Sequence, residues 1–544
     1  MKSFLFFVVL FSYQSLAQKL KKADKELLNN LKAHISFLAD DKLEGRRTGS
    51  NGEKLAYNYL SAQFKTIGLL PKGDSGSYLQ PFTFDDGKEI NKTTHLIING
   101  NDLEINKEFF PLDFSPNKYL EAAPVMAFQE KGMPWFLDIK QLLNESKNNP
   151  HFDINDYLHV KAKEVSDKGA TALIIYNSTQ TEDDMAFNDK QKSTLANIPV
   201  IYVTKTATQK YLLDTSTALD VKLKIDIEDR TRTGHNVIGY IDNAAANTII
   251  IGAHYDHLGY GEDHNSLWTG TAAINNGADD NASGTAAVIE LARWVKKNGL
   301  KKNNYLFICF SGEELGLFGS KYFIDHSPID VGKIDYMINL DMIGRLNDSS
   351  KNLMIGGYGT SPTWIKVLSA SEKSFSLKFD SSGVGPSDHT SFYRKDIPVL
   401  FFFTGIHSDY HKPGDDVDKI NFTGAVYIIK FISKILQETN KPEKLVFTKT
   451  RESEIFPARF TVTLGIMPDY SYNGNGVRAD GISDGKIAQK AGIKAGDIIT
   501  SFDDFKTYDL NSYMKALSKY KKGDAAKVKV LRGNEELSFD IIFF

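Results

Sequence analysis

Two adjacent glutamates, Glu313 and Glu314, are the residues of this chain best suited to do chemistry. They follow the turn Ser311-Gly312 and the apolar run Tyr305–Phe310, which is typical of a buried strand. Side chains that leave a strand end one after the other diverge, so one carboxylate can bind a metal while its neighbour reaches a water molecule. A base beside a metal ligand is what metal-assisted hydrolysis requires. An isolated Glu-Glu pair is more often a solvated loop, so the interpretation depends on what accompanies it.

Four more residues join Glu314 as candidate metal ligands, because all five fall at the same edge of the inferred sheet. Taken singly, each has an ordinary structural explanation, such as a helix N-cap for an aspartate. Two imidazoles and three carboxylates suit a pair of borderline metals such as zinc. Asp280 is the expected bridge, since a short side chain at a helix entry can point both of its oxygens into the site. The five are His254, Asp280, Glu314, Asp341 and His411.

The elements that must position these residues form a regular pattern from residue 236 onward. Strands that alternate with helices indicate an α/β domain with a largely parallel sheet, whose ligands bind beyond the carboxyl ends of the strands. A helix starting at Ser50, with Glu53 completing a capping box and Gly68 as its stop, is expected upstream. The predicted strands cover 237–241, 248–252, 305–310, 336–340 and 397–403, and the predicted helices cover 27–38, 285–296 and 423–437.

Length and composition are those of an ordinary globular protein. With 544 residues the chain is too long for one core, and about two to four domains are expected. It is 41% hydrophobic and 24% charged, and its formal net charge is −3. There is no global basic field, so neither nucleic acid nor anionic lipid is an expected partner.

The first residues have the features of a secretory signal peptide. Met1–Ala17 contains the basic Lys2, the apolar stretch Phe4–Phe11 and small residues before Gln18. We therefore expect an exported protein, periplasmic or extracellular, without a transmembrane segment. The single cysteine, Cys309, excludes an intramolecular disulfide, and its apolar neighbours favour an inert core residue.

A family resemblance rests on six motifs taken together. Residues 236–440, with the helical segment 27–70, resemble peptidase family M28, which consists of zinc-dependent peptidases that are mostly aminopeptidases. The resemblance implies a three-layer α/β/α fold with a mostly parallel central sheet and two Zn²⁺ ions per catalytic domain. The motifs are Gly252–Gly259, Gly277–Gly284, Phe310–Gly316, Asn339–Gly344, Ser387-Asp388-His389 and Tyr410–Asp416.

The resemblance also assigns roles to individual residues. It makes the five candidates above zinc ligands, with Asp280 bridging, and Glu313 the general base. Asp256 is expected to orient the imidazole of His254 by accepting its other N–H. Tyr410 is expected to donate a hydrogen bond to the developing oxyanion, with simple packing beside the site as the alternative. Supporting rather than catalytic roles are expected for His257, Asp279, Asp388 and His389.

Residues 93–232 resemble a protease-associated (PA) domain inserted into the peptidase. The resemblance is carried by Lys168-Gly169-Ala170 and by Ile198-Pro199-Val200. It implies a module that lies over the active-site face and restricts access without contributing catalytic residues.

Residues 456–544 resemble a PDZ domain. Leu464–Met467 is similar to the carboxylate-binding loop of that family, and Ala488–Ile499 to its central motif. Such a module captures the free C-terminus of an extended peptide through backbone amides and an edge strand. A packing or dimerisation module that binds no peptide is the alternative.

These observations together predict an exported dinuclear zinc exopeptidase, an aminopeptidase acting on peptides or proteins with a free N-terminus. Three alternatives stay open: a glutaminyl-cyclase-like reaction with one zinc, a carboxypeptidase, and a catalytically dead peptide-binding protein. The preferred first residue is not fixed, because loops 260–276 and 372–385, where the side-chain pocket is expected, carry no decisive charge. The predicted division is signal peptide 1–17, N-terminal part of the peptidase 18–92, PA-like insertion 93–232, catalytic domain 233–440, linker 441–455 and PDZ-like domain 456–544.

Overall fold

The computed structural model describes residues 21–140, 142–143, 154–179, 185–189, 194–263, 265–368, 375–450, 462–468, 474–482, 486–508 and 510–544. The predicted signal peptide, Met1–Ala17, lies outside the described residues. None of the helices in these ranges combines the length and the apolar character needed to cross a bilayer.

A mixed sheet of nine strands runs through the described part of the peptidase region. Its middle is parallel: Thr248–His254 pairs with Asn304–Phe310 on one side and with Ile334–Leu340 on the other, which in turn pairs with Val399–Phe403. The α/β fold predicted from the sequence is confirmed, and antiparallel pairing occurs where Ile227–Ile241 and Asn352–Gly356 join the parallel middle. The spatial order is Leu70–Pro71, Ile227–Ile241, Asn304–Phe310, Thr248–His254, Ile334–Leu340, Val399–Phe403, Asn352–Gly356 and Ser376–Phe379, with Leu79–Ile90 also on Ile227–Ile241.

Helices cover both faces of the sheet, which explains why its middle strands are apolar throughout. Every residue of Thr248–His254 is buried, with Ile249 and Ile251 in one hydrophobic core and Ile250 in the other. Cys309 is fully buried in the core that contains Ile249 and Ile251. Burial raises the pKa of its thiol, so the thiol is inert as expected. The larger core is covered by Lys22–Leu38, Asn51–Ile67, Gly284–Asn298, Pro362–Leu368 and Phe422–Glu438, and the smaller by Phe318–Asp325 and His389–Tyr393.

The helix Asn51–Ile67 begins and ends where local sequence signals predict. The hydroxyl of Ser50 accepts the N–H of Glu53 at 3.2 Å, and Gly68 ends the helix with a φ of 81°. The carboxylate of Glu53 turns back onto the N–H of Gly49 at 2.9 Å, one residue before the N-cap. Ser50 therefore satisfies one of the amide groups that every helix N-terminus leaves without a partner.

A two-stranded antiparallel ribbon, Leu79–Ile90 with Ile227–Ile241, leads from the peptidase sheet into the inserted residues. Beyond it lie two four-stranded sheets with hydrophobic cores of their own. The first sheet contains Asn101–Asp102, His95–Ile98, Val221–Lys224 and Tyr119–Ala122, and the second contains Phe109–Pro111, Val200–Val203, Leu173–Tyr176 and Trp135–Asp138. The helices of the described inserted residues include Ile154–Asp167 and Lys205–Tyr211.

The last part of the chain builds a separate small core around a six-stranded sheet. Ile466–Pro468 lies at the sheet edge, where its described pairing is with Val477–Ile482 alone. Gly465 precedes it with a φ of 80°, a conformation that favours glycine. The other strands are Ile498–Phe502, Phe505–Lys506, Ala525–Arg532 and Glu535–Ile542, and the helices are Ile487–Ala491 and Leu510–Leu517.

Candidate metal centre

The five predicted ligands converge beyond the carboxyl ends of the parallel strands. His254 ends its strand, Asp341 directly follows Leu340, and Glu314 lies four residues after Phe310. Because parallel strands end at the same edge of a sheet, residues distant in sequence meet there. Asp280 lies in the irregular turn Ala278–Ser283, and His411 in the loop that follows the strand Val399–Phe403.

Asp280 faces the two imidazoles with different oxygens. Its Oδ1 lies 3.3 Å from Nε2 of His254, and its Oδ2 lies 3.3 Å from Nε2 of His411. A second carboxylate accompanies each imidazole: Oδ1 of Asp341 is 3.3 Å from Nε2 of His254, and Oε2 of Glu314 is 3.2 Å from Nε2 of His411. The donors thus form two groups of three that share Asp280.

These separations fit a pair of zinc ions. Ligand atoms about 2.0–2.1 Å from a tetrahedral ion lie about 3.3–3.4 Å apart, which is the spacing found between each imidazole nitrogen and its carboxylate oxygens. Nitrogen and oxygen donors of this kind are those that zinc prefers. Three donors per ion also leave a coordination position for water or substrate, as catalytic zinc sites require.

The pKa shifts in the donor cluster also favour a metal site. Burial lowers the pKa of His254, but the carboxylates of Asp341 and Glu313 outweigh it and hold that pKa well above its usual value. Glu314 and Asp280 do the same for His411. Burial, reinforced by the neighbouring carboxylates of Glu314 and Asp341, raises the pKa of Glu313 well above the usual value. Four carboxyl groups are crowded around two imidazoles. Divalent cations would stabilise this arrangement by neutralising the carboxylates.

Asp256 connects two of these residues. Its Oδ1 accepts the backbone N–H of Glu313 at 3.2 Å and lies 3.7 Å from Nδ1 of His254, while its Oδ2 accepts the hydroxyl of Thr48 at 3.0 Å. The carbonyl oxygen of Asp256 is nearer to Nδ1 of His254, at 3.2 Å. The carbonyl oxygen is therefore the acceptor within hydrogen-bond distance of the imidazole, and the carboxylate lies just beyond that distance.

The four residues expected to be supporting differ in their surroundings. Nδ1 of His257 lies 2.7 Å from Oε1 of Glu314, so this histidine holds the carboxylate oxygen that does not face His411. The Oδ1 of Asp279 accepts the N–H of Gly344 at 2.6 Å. Burial raises the pKa of Asp388 to about 7 and lowers that of His389 to about 3, so the His389 ring, stacked on Phe401, is neutral.

Asp415 is a functional residue that sequence reasoning missed. Its sequence context also allowed a solvated turn, but the side chain is fully buried and its Oδ2 accepts the N–H groups of Asp279 and Asp280, both at 2.9 Å. Burial raises the pKa of Asp415 to about 6. The main chain that carries Asp280 is thus fixed by a carboxylate from the His411 loop.

Arg46 was also missed, and no local pattern marks it. Its fully buried guanidinium donates to the carbonyl oxygens of Tyr255 at 2.7 Å, Asn276 at 2.6 Å and Gly277 at 3.0 Å, and also to that of Leu38. Burial lowers its pKa to about 10, which leaves the group charged at neutral pH. One cation therefore ties the His254 segment to the loop that leads to Asp280.

A pocket opens beside the donor cluster, and Glu313 lines it. Its other walls are largely apolar, and the ring of Tyr410 also lines it, stacked on the ring of His411 at 3.9 Å between centroids. Among the described residues that line it there is no lysine and no arginine. The apolar lining residues include Met342, Met354, Val384, Phe401, Phe403 and Ile406.

Comparison with known proteins gives matches to two families. Residues 236–436 match the model of peptidase family M28, and residues 462–542 match the PDZ domain model. Aminopeptidase YwaD of Bacillus subtilis (strain 168) is 27% identical over 316 residues, which cover 54% of this chain and 64% of the relative. Leupeptin-inactivating enzyme 1 of Streptomyces exfoliatus is 33% identical over 192 residues, which cover 34% of this chain and 39% of the relative. The chain thus spans less than two thirds of the length of either relative.

Among solved structures, BSAP, a zinc aminopeptidase from Bacillus subtilis, aligns with a TM-score of 0.43 and 21% identity, covering 77% of this chain and 98% of that one. The matched ranges contain all five candidate ligands and the edge strand Ile466–Pro468. Residues 236–436 are thus similar to peptidase family M28, and residues 462–542 to PDZ domains.

Proposed function

We propose that this protein is an exported aminopeptidase that uses two zinc ions to release the N-terminal residue of peptides. The observation that carries the proposal is the position of Asp280, whose two oxygens face His254 and His411 at the same distance. A second carboxylate beside each imidazole supports two metal sites rather than one. Export is inferred from Met1–Ala17 alone.

Glu313 is the proposed general base. When bound, the zinc ions would act as Lewis acids and lower the pKa of a bound water. The carboxylate of Glu313 accepts the proton that the attacking water gives up, and it donates that proton to the leaving amine. The main-chain bond to Asp256 holds Glu313 in place for both transfers.

The charge of the pocket favours an aminopeptidase over a carboxypeptidase. No lysine or arginine among the described lining residues would pair with a substrate carboxylate. Asp380, a lining carboxyl group outside the five candidate ligands, can attract a substrate ammonium group. The apolar walls favour an apolar first side chain, and Tyr410, which lines the pocket, is proposed to donate a hydrogen bond to the oxyanion.

The flanking modules have proposed roles in access and binding. The insertion 93–232 is proposed to restrict access as a PA domain does. Within the described residues the strand Ile466–Pro468 pairs on one side only, which supports capture of a peptide C-terminus by the PDZ domain.

The test is a mass-spectrometric digest of a peptide mixture in which each peptide is present with a free and with an acetylated N-terminus. Loss of single N-terminal residues from the free peptides only, abolished by a chelator, is the expected result. Glu313→Gln should retain zinc and lose turnover. Equal cleavage of acetylated peptides would contradict the proposal, and one tightly bound zinc per chain would favour the cyclase-like alternative.

A further inference from the structure

The residues that connect the peptidase to the PDZ domain are fastened to the peptidase as far as they are described. We call residues 441–450 the strap. The carbonyl oxygen of Lys441 accepts the side-chain amide of Asn303 at 3.0 Å, and the N–H of Leu445 donates to Oδ1 of Asp335 at 2.6 Å. The charged, polar composition of the strap predicts a linker, yet it contacts the peptidase at intervals of a few residues along its length.

Thr450, at the end of the strap, is bonded to the phenol group of Tyr393. The N–H and the hydroxyl of Thr450 both donate to the Tyr393 oxygen at 3.0 Å, and the Tyr393 hydroxyl donates to the carbonyl oxygen of Thr450 at 3.2 Å. The ring of Tyr393 is almost fully buried and packs against Phe447 of the strap. The hydroxyl of Thr450 keeps its acceptor capacity for a third residue, the amide of Gly383, which donates to it at 3.1 Å.

Gly383 lies in the segment 380–386, which we call the wall loop because most of its residues line the pocket beside Glu313. Gly383 is buried and packs on the face of Tyr393: a Cβ built at this glycine would lie 2.0 Å from a carbon of the ring. Thr450 and Tyr393 therefore hold the same glycine from two sides. One of the bonds that hold the wall loop therefore comes from a hydroxyl group outside the pocket, beside the backbone bonds of residues 380–382 to 357–359 and the bond of Gly385 to Thr390.

We propose that Thr450 is a positioning residue for substrate specificity: through Gly383 it fixes the wall loop and so sets the shape of the pocket for the substrate's first side chain. The inference rests on the proposed function, because it assigns the pocket to that side chain. Loss of the hydroxyl would leave the buried Gly383 N–H without an acceptor, and the wall loop would shift to satisfy it. Large apolar side chains, which touch the wall, would lose affinity, whereas alanine would not.

The experiment compares Thr450→Val, which keeps the shape and removes the hydroxyl, with Thr450→Ser, which keeps the hydroxyl. The matched control is Thr448→Val, since the exposed Thr448 is held to Thr360 by its backbone N–H. Each full-length protein is assayed with leucine, methionine, phenylalanine and alanine arylamides, and its zinc content is measured. For Thr450→Val we expect KM for the three large residues to rise about tenfold, with kcat for alanine and zinc content unchanged. Thr450→Ser and Thr448→Val should behave as the wild type.

Hydrogen exchange of the wall loop gives a readout that does not depend on activity. Thr450→Val should speed exchange at residues 380–386, and Thr448→Val should not. If the wild type cleaves no arylamide, the proposed function fails, and this measurement still tests the role of Thr450. Equal loss of activity on all four substrates, or unchanged exchange in Thr450→Val, would overturn the inference. Should Thr450→Val not fold, Tyr393→Phe, which leaves the Gly383–Thr450 bond intact, is expected to give a smaller shift in the same direction.

Discussion

The backbone N–H of Glu313 donates a hydrogen bond of 3.2 Å to the Oδ1 atom of Asp256. The same carboxylate lies beside Nδ1 of His254, and its other oxygen is held by Thr48. One buried side chain therefore supports both a candidate ligand and the proposed base, which come from neighbouring strands. Displacing Asp256 would disturb both functions together.

Replacing Asp256 by asparagine should weaken metal binding and turnover in the same variant. The substitution keeps the shape but removes the charge that favours the correctly oriented imidazole, and losses of about 10–100-fold in zinc affinity are typical for such partners. Zinc affinity is measured by competition with a chromogenic chelator, and kcat with a peptide substrate at saturating zinc. Asp325→Asn, an exposed site on the same domain, is the control. Unchanged zinc affinity in Asp256→Asn would show that the carbonyl oxygen of Asp256 alone orients His254.

Zinc binding should release protons at neutral pH. The pKa values of His254 and His411 are both raised well above the usual value, so in the metal-free protein both imidazoles carry a proton at pH 7. Zinc needs neutral imidazoles, so filling both sites should displace about two protons per chain. The measurement is calorimetric titration of the metal-free protein in buffers of different ionisation enthalpy at one pH. A binding enthalpy that is the same in every buffer would contradict the expectation.

The acidic residue Asp263 should matter for stability and for metal retention. It accepts from Nε of Arg47 at 2.7 Å and from Nη2 of Arg232 at 2.8 Å, and its side chain is nearly buried. Two residues later, the carbonyl oxygen of Asn265 lies 3.0 Å from Nδ1 of His411. Removing one partner of a buried ion pair costs about 3–5 kcal/mol, so Asp263→Asn should lower Tm and speed zinc loss to a chelator.

Glu262→Gln provides the matched control for Asp263→Asn. Glu262 precedes Asp263, its carboxylate is 41% exposed, and it lies 3.9 Å from Nε of Arg47. An exposed pair of this kind contributes about 0–1 kcal/mol, so the variant should resemble the wild type. Similar behaviour of the two variants would mean that the buried cluster has no special role.

Asp335 should destabilise the folded protein at neutral pH. Burial raises its pKa to about 6 from an ordinary value near 3.8, so the folded protein binds this proton more tightly than the unfolded chain does. Its contribution is therefore favourable in acid and is lost as pH rises from about 4 to 6. Asp335→Asn should raise the free energy of unfolding above that of the wild type by more at pH 8 than at pH 4.5. The two increases should differ by about 3 kcal/mol at most.

The measurement for Asp335 is denaturant unfolding of both proteins at the two pH values. Comparing wild type and variant at each pH cancels the loss of zinc in acid, which affects both. A difference that is the same at pH 4.5 and pH 8 would mean that Asp335 keeps an ordinary pKa in the folded protein.

Three of the candidate ligands were accessible from the sequence because each comes at the end of a strand that a local apolar pattern predicts. Apolar strands mark where His254, Glu314 and Asp341 must lie, and the rule that parallel strands share one edge brings them together. The helix cap at Ser50 was predictable for the same reason, since it depends only on residues within one turn. Local signals of this kind do not depend on the rest of the fold.

Interactions between distant segments were not accessible. Asp415 bonds to amides about 135 positions earlier in the chain, and Arg46 bonds to carbonyls more than 200 positions later. Nearly every residue carries the same main-chain donor and acceptor, so the sequence does not show which of these groups a distant side chain will contact. The strand Ile227–Ile241 was recognised only over its last five residues, because its first part has polar and charged residues on an exposed ribbon.

The ribbon that carries residues 93–232 has a consequence for how this protein could change over evolution or by design. Leu79 pairs with Val237 at one end and Ile90 with Ile227 at the other, so the outgoing and returning chains are adjacent along the ribbon. At any pair of opposite residues the two backbones are one strand spacing apart, about 5 Å. A hairpin turn of two residues spans that gap, and so does a whole folded module. If the inserted residues beyond the ribbon were shortened, exchanged or removed, the two ends left in the nine-stranded sheet would keep this separation.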